Sequence, residues 1–211
     1  MKKTSALIKA MSYVNKLLVP LEWLYYHQYN HSLEVMHRAM YLWEKEKVSP
    51  EDIEILGLAG LFHDTGFVIQ YDDNEYIWAK IAQNYLRTSL CPKKKIKTIE
   101  RLILATKPSY TQPIDILEKI IKDADLDNLW RDDFFDKKDK MKQELETIRN
   151  IKMRDPDWDH GSLQLLKEHK YYTNTQKKER WEKKIENREI LEKMLKDLDV
   201  DMKDASYTHS Y

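Results

Sequence analysis

Apolar residues recur every three or four positions along most of the chain, which is the spacing of one face of an α-helix. The first stripe begins near Leu7 and closes before Pro20. Further helices are predicted over residues 29–47, 53–62, 74–90, 94–106, 114–129, 138–151, 159–171 and 176–198. Four prolines fall between these segments, where helices end: Pro92, Pro108, Pro113 and Pro156. Convincing alternation of apolar and polar residues is lacking, so the predicted fold class is all-α.

The helix predicted over 53–62 has a clear start signal and an unusual surface. In "VSPED", Ser49 can cap the helix and Pro50 suits its first position, while Gly66 is the predicted stop. Almost every side of this helix is apolar, so we expect it at the centre of the fold. Yet the run "LAGLFHDTGF" places His63 and Asp64 directly after it. A carboxylate buried there is costly unless it is paired, hydrogen-bonded or bound to a metal.

Polar residues also break the apolar stripes of two other predicted helices. Over 114–129 the stripe consists of Ile114, Leu117, Ile120, Ile121 and Ala124. Asp125 continues that stripe, and Asp123 lies at its edge. In the second helix the stripe consists of Val35, Ala39 and Leu42. It extends one turn back to His31 and one further turn to His27, so these two histidines are expected to share a face.

Two imidazoles and two carboxylates from separate helices are thus predicted to be buried: His31, His63, Asp64 and Asp125. Such a set of nitrogen and oxygen ligands suits Mn, Fe, Co, Ni or Zn, and Mg less well. A cation would also compensate the buried carboxylates. Spacing by itself leaves a second interpretation equally open, in which the four are hydrogen-bonded core residues that hold no metal.

Composition narrows the classes of function. Lys and Arg total 36 and Asp and Glu total 36, so the formal charge is zero, and neither a nucleic acid polymer nor a membrane is an expected partner. The single cysteine, Cys91, excludes an internal disulfide framework and a cysteine-based zinc site. The N-terminal stretch does not resemble a secretory signal, and apolar runs stay short of membrane-spanning length. We expect one cytoplasmic domain over residues 1–211, with a homodimer left open.

Four segments occur in order along the chain: "YHQYNHSLEVMHRA", "LAGLFHDTGF", "LILATKP" and "IIKDADLDNLWRDDFF". With their histidine, His-Asp pair and later aspartate, they resemble the signature of the HD superfamily of metal-dependent phosphohydrolases, and within it a subgroup of small bacterial predicted hydrolases. The resemblance covers about residues 20–135. It implies an HD-domain helical bundle around a divalent metal, with C-terminal amphipathic helices over about 138–198 packed on that core.

Carried over by position, the resemblance implies that the metal ligands are His31, His63, Asp64 and Asp125. Relatives with two metals supply further histidines after the His-Asp pair, and this subgroup is expected to have a His-Glu pair near "YDDNEY". This chain has Asn74 and Glu75 there. One divalent ion (Mn, Fe, Co, Ni, Zn or Mg) is therefore expected. Phe67 stands where the nucleotidase branch carries a glutamate, so that branch's substrate cannot be transferred.

A second resemblance concerns the residues just before the first ligand. The segment "YHQYNH" is similar to the Tyr-His-Asn-x-x-His signature of cyclic-nucleotide phosphodiesterases, which share this fold, although Gln28 replaces the asparagine. In those enzymes the first histidine protonates the leaving oxygen, a role that would fall to His27. The alternative is that His27 only packs or orients His31.

The implied reaction is hydrolysis of a phosphate ester, in a nucleotide or another small phosphorylated metabolite, by a metal-activated water. Asp64 or, by preference, Asp125 would orient that water or accept its proton, and His27 would protonate the departing alkoxide. Lys107 and Arg188 are candidates for binding the phosphate, although each has an ordinary alternative as a solvated residue or salt-bridge partner. Two rival functions are an iron-dependent oxygenase and a catalytically weak regulatory domain that binds a nucleotide or a metal.

Overall fold

Helices make up the regular structure of the described residues, which are 4–72 and 74–207, with side chains described as far as residue 198. The computed structural model contains α1 (Ser5–Leu18), α2 (Tyr29–Lys45), α3 (Ile53–Phe62), α4 (Glu75–Thr88), α5 (Lys93–Ala105), α6 (Ile116–Asp125), α7 (Phe134–Arg149), α8 (Asp155–Glu168) and α9 (Asn174–Tyr207). Three 3₁₀ helices occur at Pro50–Asp52, Thr65–Val68 and Asp127–Trp130. Strands are absent from the described residues, which confirms the all-α prediction. Within the same residues, no helix has the length and apolarity that crossing a bilayer requires.

The chain divides into two compact units. The first contains the residues up to Asp127 together with Tyr171–Lys177, and so it includes α1 to α6 and the first turn of α9. The second contains Asn128–Lys170 and the chain from Lys178 onward, which includes α7, α8 and most of α9. The expectation of one domain over residues 1–211 stays a prediction.

Helix α3 lies at the centre of the first unit, as its uniformly apolar surface predicts. Its fully buried side chains are Leu56, Leu58, Ala59, Leu61 and Phe62. The glycine at position 60 allows α2 to pack closely on this helix, because a Cβ at Gly60 would lie 3.0 Å from the backbone nitrogen of Met36. This close packing brings the helix that carries His31 against the helix that ends just before His63.

The end of α3 differs from the prediction. The helix ends at Phe62, and Gly66 lies inside the following 3₁₀ helix with a φ outside the left-handed region, so Gly66 is not a helix stop. Packing explains the glycine instead. A Cβ at position 66 would lie 1.9 Å from the indole Cδ1 of Trp78 and 2.7 Å from the carbonyl oxygen of Asn74.

Two helix starts also depart from the prediction. A 3₁₀ helix, Pro50–Asp52, precedes α3, and within the described residues Ser49 makes no side-chain capping hydrogen bond. Helix α6 begins at Ile116, because the side chain of Asp115 caps it by accepting a backbone hydrogen bond from its first turn. Ile114, predicted on the buried stripe, therefore lies outside the helix and is 73% exposed.

The second unit also contains buried apolar side chains. Its buried apolar side chains are Leu129, Trp130, Phe134, Leu163, Leu166, Leu191 and Leu195. Helix α7 ends at Arg149, and the next residue, Asn150, has a left-handed φ of 49°. Helix α8 begins at Asp155, four residues before the predicted start, because Pro156 is well tolerated in the first turn of a helix.

We predict that Gly66→Ala lowers the free energy of unfolding by about 1–3 kcal/mol, because the added methyl group overpacks the contact with Trp78. Urea unfolding followed by circular dichroism measures the effect. Gly161→Ala is the matched control, since an added Cβ at this site in α8 meets none of the described atoms within 4 Å. Alanine there should be neutral or gain up to about 1 kcal/mol. Equal effects of the two substitutions would contradict the packing explanation.

Candidate metal centre

Three segments of the first unit bring the four predicted ligands together. His31 lies in the first turn of α2, His63 and Asp64 follow the end of α3, and Asp125 is the last residue of α6. The Nε2 atom of His63 is 2.9 Å from Asp64 Oδ2 and 3.1 Å from Asp125 Oδ1. The Nε2 atom of His31 is 3.4 Å and 3.5 Å from the same two oxygens. Each imidazole therefore lies close to both carboxylates.

The hydrogen bond made by the second ring nitrogen of His63, Nδ1, identifies the tautomer of this imidazole. Nδ1 lies 2.7 Å from the carbonyl oxygen of Gly60, which can only accept, so Nδ1–H is the donor. In a neutral ring, Nε2 then directs a lone pair towards the carboxylates. Within the described residues, neither His63 Nε2 nor Asp64 Oδ2 makes a hydrogen bond of acceptable geometry, although both atoms are buried. Buried lone pairs of this kind suit a divalent cation, and Nδ1–H bonded to a carbonyl is a usual support for a ligating histidine.

The electrostatics of the site favour a positive charge between the two carboxylates. Burial lowers the pKa of His63, but Asp64 and Asp125 outweigh it and hold that pKa well above its ordinary value of 6.5. Burial raises the pKa of each carboxyl, but the neighbouring histidines, chiefly His63, hold both values below their usual range. At His31 burial dominates and lowers the pKa. The site thus keeps two carboxylates ionised around a positive charge, which is either a proton on His63 or a bound cation.

Of these ligands, three form a geometric cluster that can hold a metal ion: His31, His63 and Asp125 each offer one atom, and these atoms lie within 4.8 Å of one another. Asp64 adds a fourth oxygen at the distances given above. The carboxylates differ in access, since the side chain of Asp125 is 18% exposed and that of Asp64 is 4% exposed. Asp125 therefore faces the open side of the centre.

His27 lies beside the ligands, although not on the predicted helical face. Helix α2 begins at Tyr29, so His27 belongs to the bend that precedes it. The ring centroids of His27 and His31 are 5.9 Å apart, and the His27 ring packs 4.3 Å from that of Phe67. The charge of His27 also lowers the pKa of Asp64. Gln28, which departs from the phosphodiesterase signature, donates a 2.7 Å side-chain hydrogen bond to the carbonyl oxygen of Leu24.

The two predicted phosphate-binding residues lie in different units. Lys107 belongs to the first unit, where its half-exposed Nζ is 3.7 Å from Glu75 Oε2. Arg188 belongs to the second unit, and its Nε is 3.9 Å from Glu192 Oε1, one turn further along α9. The role of each in binding a substrate stays a prediction.

Asn74 has a structural role at the position where a second-metal histidine is expected. Its buried side-chain amide donates to the carbonyl oxygens of Gln70 at 3.1 Å and Tyr71 at 2.5 Å, and so it closes the loop before α4. Both bonds use the amide nitrogen and hold the loop backbone, whereas the expectation of a single ion stays a prediction.

Sequence reasoning overlooked one buried cation near the site. The Nζ of Lys122 donates to the carbonyl oxygens of Ala105 at 3.0 Å and Lys107 at 3.4 Å. Burial lowers the pKa of this ammonium, opposed by the charge of Asp125 and other carboxylates. The only sequence signal is a lysine directly after the apolar pair Ile120 and Ile121, which is too weak to identify its carbonyl partners at and just after the end of α5.

Comparison with known families agrees with this geometry. The model of the HD domain family matches residues 29–127, a range that includes all four predicted ligands. The chain therefore contains an HD domain over those residues, which confirms the resemblance to the HD superfamily seen in the sequence motifs. No curated protein matches the sequence significantly.

We predict that Asp64→Asn reduces the bound divalent metal from about one ion per chain to a small fraction, because the amide replaces a buried anionic ligand whose Oδ2 makes no acceptable hydrogen bond within the described residues. Metal analysis after dialysis against Mn²⁺ or Zn²⁺ provides the measurement. Asp139→Asn, at an exposed position on α7, is the control and should leave the metal content unchanged. Equal metal content in wild type and Asp64→Asn would count against Asp64 as a ligand.

Proposed function

We propose that the protein is a metal-dependent phosphohydrolase that cleaves a phosphate ester of a nucleotide or another small phosphorylated metabolite. One observation carries the proposal: two buried imidazoles lie against the buried carboxylate of Asp64 and the partly exposed carboxylate of Asp125, and His63 Nε2 and Asp64 Oδ2 lack acceptable hydrogen bonds within the described residues. The HD domain matched over residues 29–127 supports it, because metal-dependent hydrolysis is typical of that superfamily.

A divalent cation held by His31, His63, Asp64 and Asp125 would supply Lewis-acid polarisation of the phosphate and an activated water. Asp125 is the carboxylate suited to orient that water and accept its proton, because it is the more exposed of the two. Asp64 is almost fully enclosed and serves to keep the charge of the centre balanced.

His27 is suited to give a proton to the departing alkoxide. It lies outside the four ligands but next to them, and Phe67 and Tyr26 pack on its ring at centroid distances of 4.3 Å and 4.7 Å. Such packing fixes the imidazole, and an imidazole can donate a proton near neutral pH. Lys107, half exposed and only 3.7 Å from Glu75, can exchange that carboxylate for a substrate phosphate.

A screen of metals against nucleotides and phosphate mono- and diesters tests the proposed function. Purified wild type is compared with the double variant His63→Ala/Asp64→Ala. We expect metal-dependent release of phosphate or alcohol by wild type alone. Turnover that persists in the double variant would exclude this site as its source. A mixed-valent di-iron signal after anaerobic iron loading would favour the oxygenase instead, and metal binding without any turnover would favour the regulatory domain.

Once a substrate is known, His27→Gln should lower kcat by about 10²–10⁴-fold while the affinity for the metal stays the same, because the change removes a general acid and no ligand. His37→Gln is the matched control, since His37 is an exposed histidine on α2. Unchanged kcat in His27→Gln would argue against the acid role. A loss of kcat that excess metal restores would show that His27 only orients His31.

A further inference from the structure

Asp125 is the last residue of α6, where backbone carbonyls lack partners within the helix. A ligand placed there needs anchoring from outside the helix. Asp123 and Asp127, two residues to either side, are both buried. The surroundings of these two residues therefore decide how firmly Asp125 is held.

On the N-terminal side of Asp125, the anchor is the carboxylate of Asp123, which is fully buried. It accepts hydrogen bonds from the backbone nitrogens of Tyr172 at 2.9 Å and Thr173 at 2.7 Å. The hydroxyl of Thr173 donates a third bond to it, also at 2.7 Å. Three donors from two successive residues fix this carboxylate in one orientation.

On the C-terminal side of Asp125, the same distant segment binds the turn that follows α6. The Tyr171 hydroxyl donates to the carbonyl oxygen of Leu126 at 2.7 Å. The side-chain amide of Gln176 donates to Asp127 Oδ1 at 2.6 Å and to the carbonyl oxygen of Asp123 at 3.4 Å. The backbone on both sides of Asp125 is thus held by residues about 50 positions further along the chain.

The segment Tyr171–Lys177 also contacts the helix that carries His31. Arg38 on α2 donates through Nε to Gln176 Oε1 at 2.8 Å, and the same nitrogen is 3.0 Å from Asp127 Oδ1. Within the same segment, the backbone nitrogen of Thr175 donates a 2.8 Å hydrogen bond to Oε1 of Glu46, the residue directly after α2. The segment therefore links α2 to the end of α6, the two elements whose spacing sets the distance between His31 and Asp125.

We propose that the segment Tyr171–Lys177 supports the metal centre. Thr173 and Gln176 are its positioning residues, which hold Asp125 opposite His31 and His63. The segment lies outside residues 29–127, so the matched HD domain does not contain these supports. The inference rests on the metal binding in the proposed function and not on the reaction. Hydrogen-bonded supports behind a ligand are typically worth 10–100-fold in metal affinity.

Titration of the full-length protein with Co²⁺ tests this proposal, because the visible absorption of Co²⁺ reports both affinity and ligand geometry. Thr173→Val keeps the shape of the side chain and removes its hydroxyl. We expect Co²⁺ to bind about tenfold more weakly, with an altered absorption spectrum. Thr173→Ser, which restores the hydroxyl, should recover both. The control is Thr106→Val, which removes another buried hydroxyl of the first unit, one that donates to Ile103 at the end of α5.

Thermal unfolding of the metal-free variants separates positioning from stability. A lower Tm for Thr173→Val, with wild-type Co²⁺ affinity and spectrum at a temperature where the protein is folded, would overturn the proposal. If Thr173→Val does not fold, Tyr171→Phe replaces it, and the same two results decide. If the wild-type protein binds no Co²⁺, both the proposed metal site and the positioning role are refuted. If the wild type binds Co²⁺ and the variants bind it equally well, only the positioning role is refuted.

Discussion

The requirement to compensate two neighbouring carboxylates, one buried and one partly exposed, shapes this part of the molecule. Asp64 and Asp125 both lie about 3 Å from His63, which would direct a lone pair at them if it were neutral. Either a proton on His63 or a bound cation removes the repulsion between this lone pair and the carboxylates. Because Nδ1 of His63 donates to the carbonyl oxygen of Gly60, Nε2 is available for either one. A proton satisfies one nitrogen, whereas a divalent cation satisfies all four side chains, which is why the geometry favours a metal.

The apolar core makes such a concentration of charge possible. Helix α3 is buried on every side, and the tight contact at Gly60 fixes α2 against it. Gly66 leaves room for Trp78, whose ring lies 6.2 Å from that of His63 and closes the site on that side. Rigid packing of this kind holds polar side chains close together, so that a cation gains most from binding there.

Much of the fold and the proximity of the four candidate ligands could be predicted because their signals are local. Helical periodicity is repeated in every segment, and His31, His63, Asp64 and Asp125 each follow or extend an apolar stripe. The prediction for Gly66 was wrong because its reason is the indole of Trp78, twelve residues away in sequence. Ile114 was misplaced because Asp115 caps the helix after it.

The supports of the site could not be predicted for a related reason. Asp123 accepts hydrogen bonds from Tyr172 and Thr173, about 50 positions away, and no periodicity connects such partners. Lys122 binds backbone carbonyls, which have no sequence signature at all. A sequence shows which residues are out of place on an apolar face, but the groups that satisfy them depend on tertiary packing.

The most direct test of the central claim is a crystal structure of the protein grown with Zn²⁺, with anomalous data collected at the zinc edge. The account predicts one strong peak about 2.0–2.1 Å from the Nε2 atoms of His31 and His63, and about 2.0–2.2 Å from a carboxylate oxygen of Asp64 and of Asp125. Zinc bound only at exposed carboxylates, with these four side chains left hydrogen-bonded to one another, would contradict it.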